Sequence, residues 1–232
     1  MKEDEIMEKN IVIGIEGLVG SGKTSICREM LKRNDNAILL NGGNLYRAIV
    51  YTLMQKEPNI LKLKKMTKNA DIKKYMDDFN VEIKFENRES QIYIDGELAD
   101  EEELQSKASS LAVSIIGGIA DNTKLFEFAS NLIDELKVNN DIIVSGRALM
   151  KIYPELDYHL FITASLKERV KRKCIQYKEK NNEKEIRNNI IKRDILQRIA
   201  GFYKIYKNTI KIDVTECKNV EESTNKVLKY IK

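Results

Sequence analysis

The sequence predicts an α/β fold of three layers, a five-stranded parallel sheet between helices, and three observations carry that prediction. Short, continuously apolar, β-branched runs recur along the chain and are followed by segments that can be helical, the pattern of strands buried on both faces. A glycine-rich turn separates the first of these runs from a stretch with helical spacing. Residues 81–98 alternate apolar with charged side chains instead, as a half-exposed antiparallel hairpin does.

Taken in order, Ile11 to Ile15 form the first strand, and Ile26, Cys27, Met30 and Leu31 recur at helical spacing within Thr24 to Arg33. Ala37 to Leu40 supply a second strand, so the chain opens with a β-α-β unit whose first turn is the glycine loop. Ile142 to Val144, Tyr158 to Thr163 and Thr209 to Val214 are further buried strands. Val220, Val227, Leu228 and Ile231 lie on one face of a closing helix. Between these elements, Val81, Ile83 and Phe85, then Ile92 and Ile94, mark the two arms of the hairpin around a polar turn from Asn87 to Gln91. The hairpin interrupts the β/α alternation and makes roughly residues 58–104 an insertion beside the sheet. Residues 167–193 hold eleven basic and four acidic residues in a largely helical pattern; most of these charges solvate a helix surface, and a mobile basic lid over phosphates is the functional reading of the segment 167–195.

At 232 residues the chain suits one such domain, spanning 1–232, with small insertions. Apolar residues make up 42% and charged residues 33%, as in a soluble globular protein. A net charge of +4 is too small to argue for a nucleic-acid partner, and Tyr177 is the only aromatic residue among the charges of 167–193, so no stacking platform for bases is expected. No apolar run reaches membrane-spanning length, and the charged start, Lys2 to Glu5, is unlike a secretory signal. A cytoplasmic protein without a membrane partner is the expectation. Cys27, Cys174 and Cys217 are widely spaced and there is one histidine, His159, which points to buried free thiols and a packed core histidine rather than a zinc site.

The chemistry lies in Gly17-Leu18-Val19-Gly20-Ser21-Gly22-Lys23-Thr24, a G-x-x-x-x-G-K-[ST] phosphate loop placed after a strand and before a helix. Gly17, Gly20 and Gly22 let the backbone N–H groups of the loop, together with Ser21 and Ser25, turn toward phosphate oxygens at a helix N-terminus. Lys23 reaches the β- and γ-phosphates of ATP and the Thr24 hydroxyl ligates Mg²⁺. This is the signature of a P-loop NTPase fold.

The loop is followed by Asn41-Gly42-Gly43-Asn44-Leu45-Tyr46-Arg47, then by Ser145-Gly146-Arg147, Tyr153-Pro154, Lys167-Glu168-Arg169-Val170-Lys171-Arg172 and Arg193-Asp194. Together these resemble the bacterial cytidylate kinases over nearly the whole chain. The resemblance implies phosphoryl transfer from ATP to a nucleoside monophosphate, CMP or dCMP, by a monomer with a nucleoside-monophosphate-binding insertion over 58–104 and a helical lid. It implies that Gly42, Tyr46, Arg47, Lys124, Gly146, Arg147 and Arg198 hold the acceptor, and that Lys23, Arg147, Arg169, Arg172 and Arg193 surround the transferred phosphoryl. The departures fall at acidic positions: Asn41, Ser145, Ala148 and Gln197 stand where the family has carboxylates. With Ser145 near the metal, Mg²⁺ is left to Thr24, phosphates, water and a candidate helper, Glu16. Lost acidic groups at the acceptor leave two alternatives open: a kinase of the same fold with a different small-molecule acceptor, or a nucleotide-binding module of little turnover.

Overall fold

The computed structural model describes residues 10–56, 59, 61–62, 71–104, 106, 113, 123–178 and 182–231. Residues 58, 60 and 63–70 of the expected insertion and 179–181 of the expected lid lie outside the described residues. In chain order the elements are β1 (Val12–Gly17), α1 (Lys23–Arg33), β2 (Ala37–Asn41), α2 (Gly42–Lys56), α3 (Ile72–Asp78), β3 (Val81–Glu86), β4 (Glu89–Ile94), β5 (Glu97–Leu98), α4 (Glu101–Leu104), α5 (Thr123–Lys137), β6 (Asp141–Ser145), α6 (Leu149–Ile152), β7 (Tyr158–Thr163), α7 (Leu166–Gln176), α8 (Glu183–Ile199), β8 (Thr209–Asp213) and α9 (Val220–Leu228).

Five strands pair in parallel in the order β2-β6-β1-β7-β8. Their alternate residues divide the core into two layers, which is why the runs are apolar throughout. Ile13, Ile15, Leu39, Ile143 and Leu160 pack on one face against Ile26, Cys27 and Met30 of α1 and Val227 of α9. On the other face Val12, Ile38, Leu40, Ile142 and Val144 meet Ile133 of α5 and Leu149 of α6. The three layers follow from this division.

The hairpin departs from expectation in two ways. Its turn is only two residues, Asn87 and Arg88, both at positive φ (49° and 66°), so Glu89 to Gln91 belong to β4 rather than to a polar loop. That conformation matches the right-handed twist of the flanking strands. Nor does the hairpin stand beside the sheet: β4 joins the edge of β2 at Leu39↔Glu89, giving an eight-stranded sheet in all. Arg88 makes the junction, its Nη1 donating to the Asn34 and Ala37 carbonyls at 2.6 and 3.2 Å while its own carbonyl accepts from Leu39 N at 2.8 Å. Two further clusters build the flanks of the site. Leu45, Ile49 and Leu53 of α2 pack against Val81, Ile92 and Leu104, and Val19 of the glycine loop packs with Val170, Ile186 and Ile190 of the α7–α8 pair. Cys27 is fully buried, whereas Cys174 and Cys217 are only half-buried, and all three are free thiols.

Candidate active site

The glycine loop leaves the C-terminal end of β1, where open α/β sheets bind ligands. A β-carbon at Gly17 (φ +153°) would lie 2.1 Å from the Ile162 carbonyl oxygen, so only glycine lets the loop leave the sheet beside β7. Gly22, at φ 94°, turns the chain into α1, whose first-turn amides have no intrahelical acceptor. Carbonyls of the loop are taken from outside: Arg169 Nη1 donates to Val19 O at 3.0 Å and Arg172 Nη1 to Ser21 O at 2.9 Å. Those contacts brace the loop, and the amides of Leu18, Val19 and Ser21 are likewise taken by Ile162 O, Asp194 Oδ1 and Leu18 O.

Two cavities meet at this point. One, of about 1030 Å³, runs over the loop from Gly20 to Ser25 and between α7 and the Lys218–Asn219 segment. The other, of about 180 Å³, lies beyond the ends of β2 and β6 and is lined by Asn41, Gly42, Tyr46, Gly146, Ala148 and apolar residues of α5. Lys23, Thr24, Arg47, Arg147 and Arg193 line both. The shared wall therefore carries four cationic side chains, and no carboxylate is among the described residues lining the smaller cavity.

Glu101 near Arg47 and Asp194 near Arg193 offset this cluster only in part, and burial outweighs them. Burial, then the neighbouring Arg147, holds the Lys23 ammonium well below the usual lysine range; its Nζ has the Gly17 and Leu18 carbonyls at 3.2 and 3.3 Å. Burial and then Arg193 and Arg147 bring Arg47 down to about 10. Arg193 is lowered by burial first. The Nε atoms of Arg47 and Arg193 and the Ser21 hydroxyl are buried without a hydrogen-bond partner. Buried donors left unpaired at a cationic wall fit an anion that completes them, and the chemistry of the set fits the polyphosphate of ATP. Thr24 lines both cavities with a hydroxyl that could hold Mg²⁺, a cation that keeps several waters and takes phosphate oxygens; among the described residues no group of three or more His, Cys, Asp or Glu forms a metal cage.

Lys173 is a member of the site that sequence reading missed. It lines the larger cavity, and burial, then Arg193 and Arg47, lower it to about 7. The signal was present, because Lys173 follows Arg169 by four residues and so shares its helix face. Between about pH 7 and about pH 10 the unfolded chain binds the Lys173 proton while the folded one does not, so Lys173 adds to the stability of the ligand-free protein as pH rises through that window. Lys173→Met is expected to raise the thermal midpoint of the ligand-free protein at pH 6–7 by a few degrees and to weaken ATP binding; calorimetric scans and ATP titrations of both proteins check it.

Other expected residues take different posts. Arg172 lines the larger cavity and Arg169 lines neither, and both are bonded to protein partners. Arg169 donates to Ala164 O, Val19 O and Asp194 Oδ2 (3.1, 3.0 and 2.6 Å), and Arg172 to Glu168, Ser21 O and Val214 O, so both position the loop. Asp194 is the hub, also accepting from Val19 N and the Tyr203 hydroxyl. Removing one partner of such a buried pair is expected to cost about 3 kcal/mol, so Asp194→Ala is expected to unfold at clearly lower urea than the parent. Gly17 shapes the loop but lines neither cavity. Lys124 is exposed, lines neither cavity, and its Nζ lies 3.3 Å from Asp71 Oδ2. Arg198 is exposed and lines neither cavity, because the helical period of α8 buries Arg193 and Gln197 and turns Arg198 away. Gln197 instead accepts from Arg147 Nε at 3.0 Å. Glu16, the candidate metal helper, is 2% exposed and lines neither cavity; its Oε1 accepts from Leu149 N at 2.5 Å. His159 is a buried core residue, as its apolar strand implies.

Comparison with known proteins agrees with this geometry. The family model described as cytidylate kinase matches residues 13–232. A cytidylate kinase of Aquifex aeolicus is 30% identical over 227 residues, covering 94% of this chain and 95% of the relative. Those of Alkaliphilus oremlandii and Clostridioides difficile are 26% and 25% identical, each match covering 96% of this chain and 98% of the relative. With its phosphate loop, parallel sheet and two cavities joined at one cationic wall, the chain belongs to the cytidylate kinase family.

Proposed function

We propose that this protein transfers the γ-phosphoryl group of ATP to a nucleoside monophosphate, with CMP or dCMP as the acceptor. The observation that carries the reading is the shared wall: Lys23, Arg47, Arg147 and Arg193 belong to both cavities, which is where a phosphoryl group passing from one nucleotide to the other must be neutralised. The glycine loop and the first turn of α1 bind the triphosphate through backbone amides. Lys23 follows the β- and γ-phosphates, and Thr24 would hold Mg²⁺, which would supply charge neutralisation when bound. Arg47, at the head of α2, clamps the acceptor phosphate. Arg147 and Arg193 hold charge on the equatorial oxygens of the transferring group, so the protein acts by positioning and electrostatics rather than by a covalent intermediate.

At about 180 Å³ the acceptor cavity is smaller than the roughly 300 Å³ at which ligand pockets begin. Acceptor binding is expected to widen it, and α7 and α8 are read as the lid over the triphosphate. The protein is read as a monomer in the cytoplasm acting on small nucleotides; among the described residues no helix is long and apolar enough to cross a membrane.

A second reading, the same chemistry on a different phosphorylated acceptor, draws on the carboxylate-free lining of that cavity, where Asn41, Ala148 and Gln197 are neutral. A site without a fixed anionic acceptor rejects wrong bases weakly. ATP consumption with Mg²⁺ and matched concentrations of CMP, dCMP, UMP, AMP and GMP separates the two. Turnover highest with CMP or dCMP supports the first reading; silence with all five transfers support to the second.

A further inference from the structure

Arg147 sits on a turn that does little to hold itself. Ala148 adopts φ 55°, a left-handed conformation that costs an L-residue with a β-carbon on the order of 1 kcal/mol, and as the residue preceding α6 it offers no side-chain oxygen to the helix amides. The first of those amides is instead capped from another strand. Leu149 N–H donates to Oε1 of Glu16, a side chain from β1 on the sheet face that carries α6.

Glu16 is 2% exposed, and a carboxylate that deep costs several kcal/mol unless partners compensate. Its second oxygen faces Nε2 of the equally buried His159 at 3.5 Å, a separation at which attraction is electrostatic rather than a full hydrogen bond. Nδ1 of His159 is 2.8 Å from Thr209 Oγ1, which also accepts from Tyr206 N at 2.9 Å. With that lone pair used, the Thr209 hydroxyl can donate a hydrogen bond to Nδ1, which sets the imidazole proton on Nε2, pointing at Glu16. A line of polar contacts thus runs from β8 through β7 and β1 to the turn bearing Arg147. Neither Glu16 nor His159 lines either of the two cavities.

We propose that Glu16, steadied by His159, is a positioning residue for Arg147: by capping Leu149 it fixes the Gly146–Arg147–Ala148 turn and so aims the guanidinium at the junction of the two cavities. This rests on the reading that Arg147 meets the transferred phosphoryl. The turn holds the side chain together with Gln197 of α8: Arg147 Nη1 donates to the Gly146 carbonyl at 2.9 Å and Nε to Gln197 Oε1 at 3.0 Å, and Gly146 N is itself held by Ile15 O at 3.3 Å.

The test is a double-mutant cycle with a structural readout that does not depend on turnover. Glu16→Ala is expected to lower kcat/KM for the acceptor by about 10²-fold while ATP affinity changes by less than about twofold. In an Arg147→Ala background the same change is expected to cost less than about threefold, because the group it positions is gone. Glu16→Gln keeps one oxygen for Leu149 and is expected to recover most of the activity; it also serves if Glu16→Ala fails to fold. In the nucleotide-free protein, hydrogen exchange of residues 146–152 is expected to accelerate about tenfold in Glu16→Ala with α5 unchanged. Additive losses, equal losses of ATP and acceptor use, or unaltered exchange at 146–152 each overturn the proposal. Absence of transfer in the parent protein would instead overturn the kinase reading, and the exchange result would still decide whether Glu16 holds the turn.

Discussion

Lys23→Ala is expected to lower kcat by at least about 10²–10³-fold, the range for removing one preorganised charge from a transition state, while leaving the ligand-free protein as stable as the parent or more so. Both halves follow from the same geometry. Among the described residues Lys23 has the two neutral carbonyls of Gly17 and Leu18 as hydrogen-bond partners and sits among Arg147, Arg47 and Lys173, so in the empty protein its charge is a cost. With a triphosphate on the loop that charge meets the β- and γ-oxygens, and its attraction grows as the bridging bond stretches. Denaturant unfolding and steady-state kinetics on one preparation test both halves. A variant that loses stability together with activity would show Lys23 to be structural.

Arg47→Ala is expected to raise KM for the acceptor by about 10²-fold, the worth of a charge-assisted contact of about 3 kcal/mol, with ATP binding changed only a few-fold. Arg47 enters the site from α2, and its Nη1 donates to Asn44 Oδ1 at 3.4 Å. Its Nε is buried without a partner, and burial with Arg193 and Arg147 lowers its affinity for its own proton. A guanidinium held this way gains most from a dianion delivered beside it. Fluorescent ATP titration and acceptor kinetics separate the two affinities. Equal weakening of both would place Arg47 on the triphosphate instead.

The parallel core was legible because burial on both faces writes itself as unbroken apolar runs: Ile142 to Val144 and Tyr158 to Thr163 fall within a residue of β6 and β7. The phosphate loop was legible because its glycines answer a local demand, such as the contact of Gly17 with Ile162. The docking of the hairpin on β2 was not, since it depends on Arg88, whose surface-like type conceals three backbone bonds to distant residues. Helix phase explains the rest. Arg169, Arg172, Lys173, Arg193 and Arg198 look alike in sequence, but which guanidinium faces the cleft, which braces the loop and which meets water depends on how α7 and α8 pack on Val19. Glu16 was legible as an acid beside the loop and a candidate metal helper; that it is buried and turns to Leu149 and His159 depends on the side of β1 from which it projects.

The most direct measurement follows the label from [γ-³²P]ATP in the presence of Mg²⁺ and either CMP or dCMP, for the parent protein and for Lys23→Ala. The expected result is label in CDP or dCDP with the parent protein and its loss in the variant. Label released only as inorganic phosphate, or transfer that persists in Lys23→Ala, would contradict phosphoryl transfer across the cationic wall that joins the two cavities.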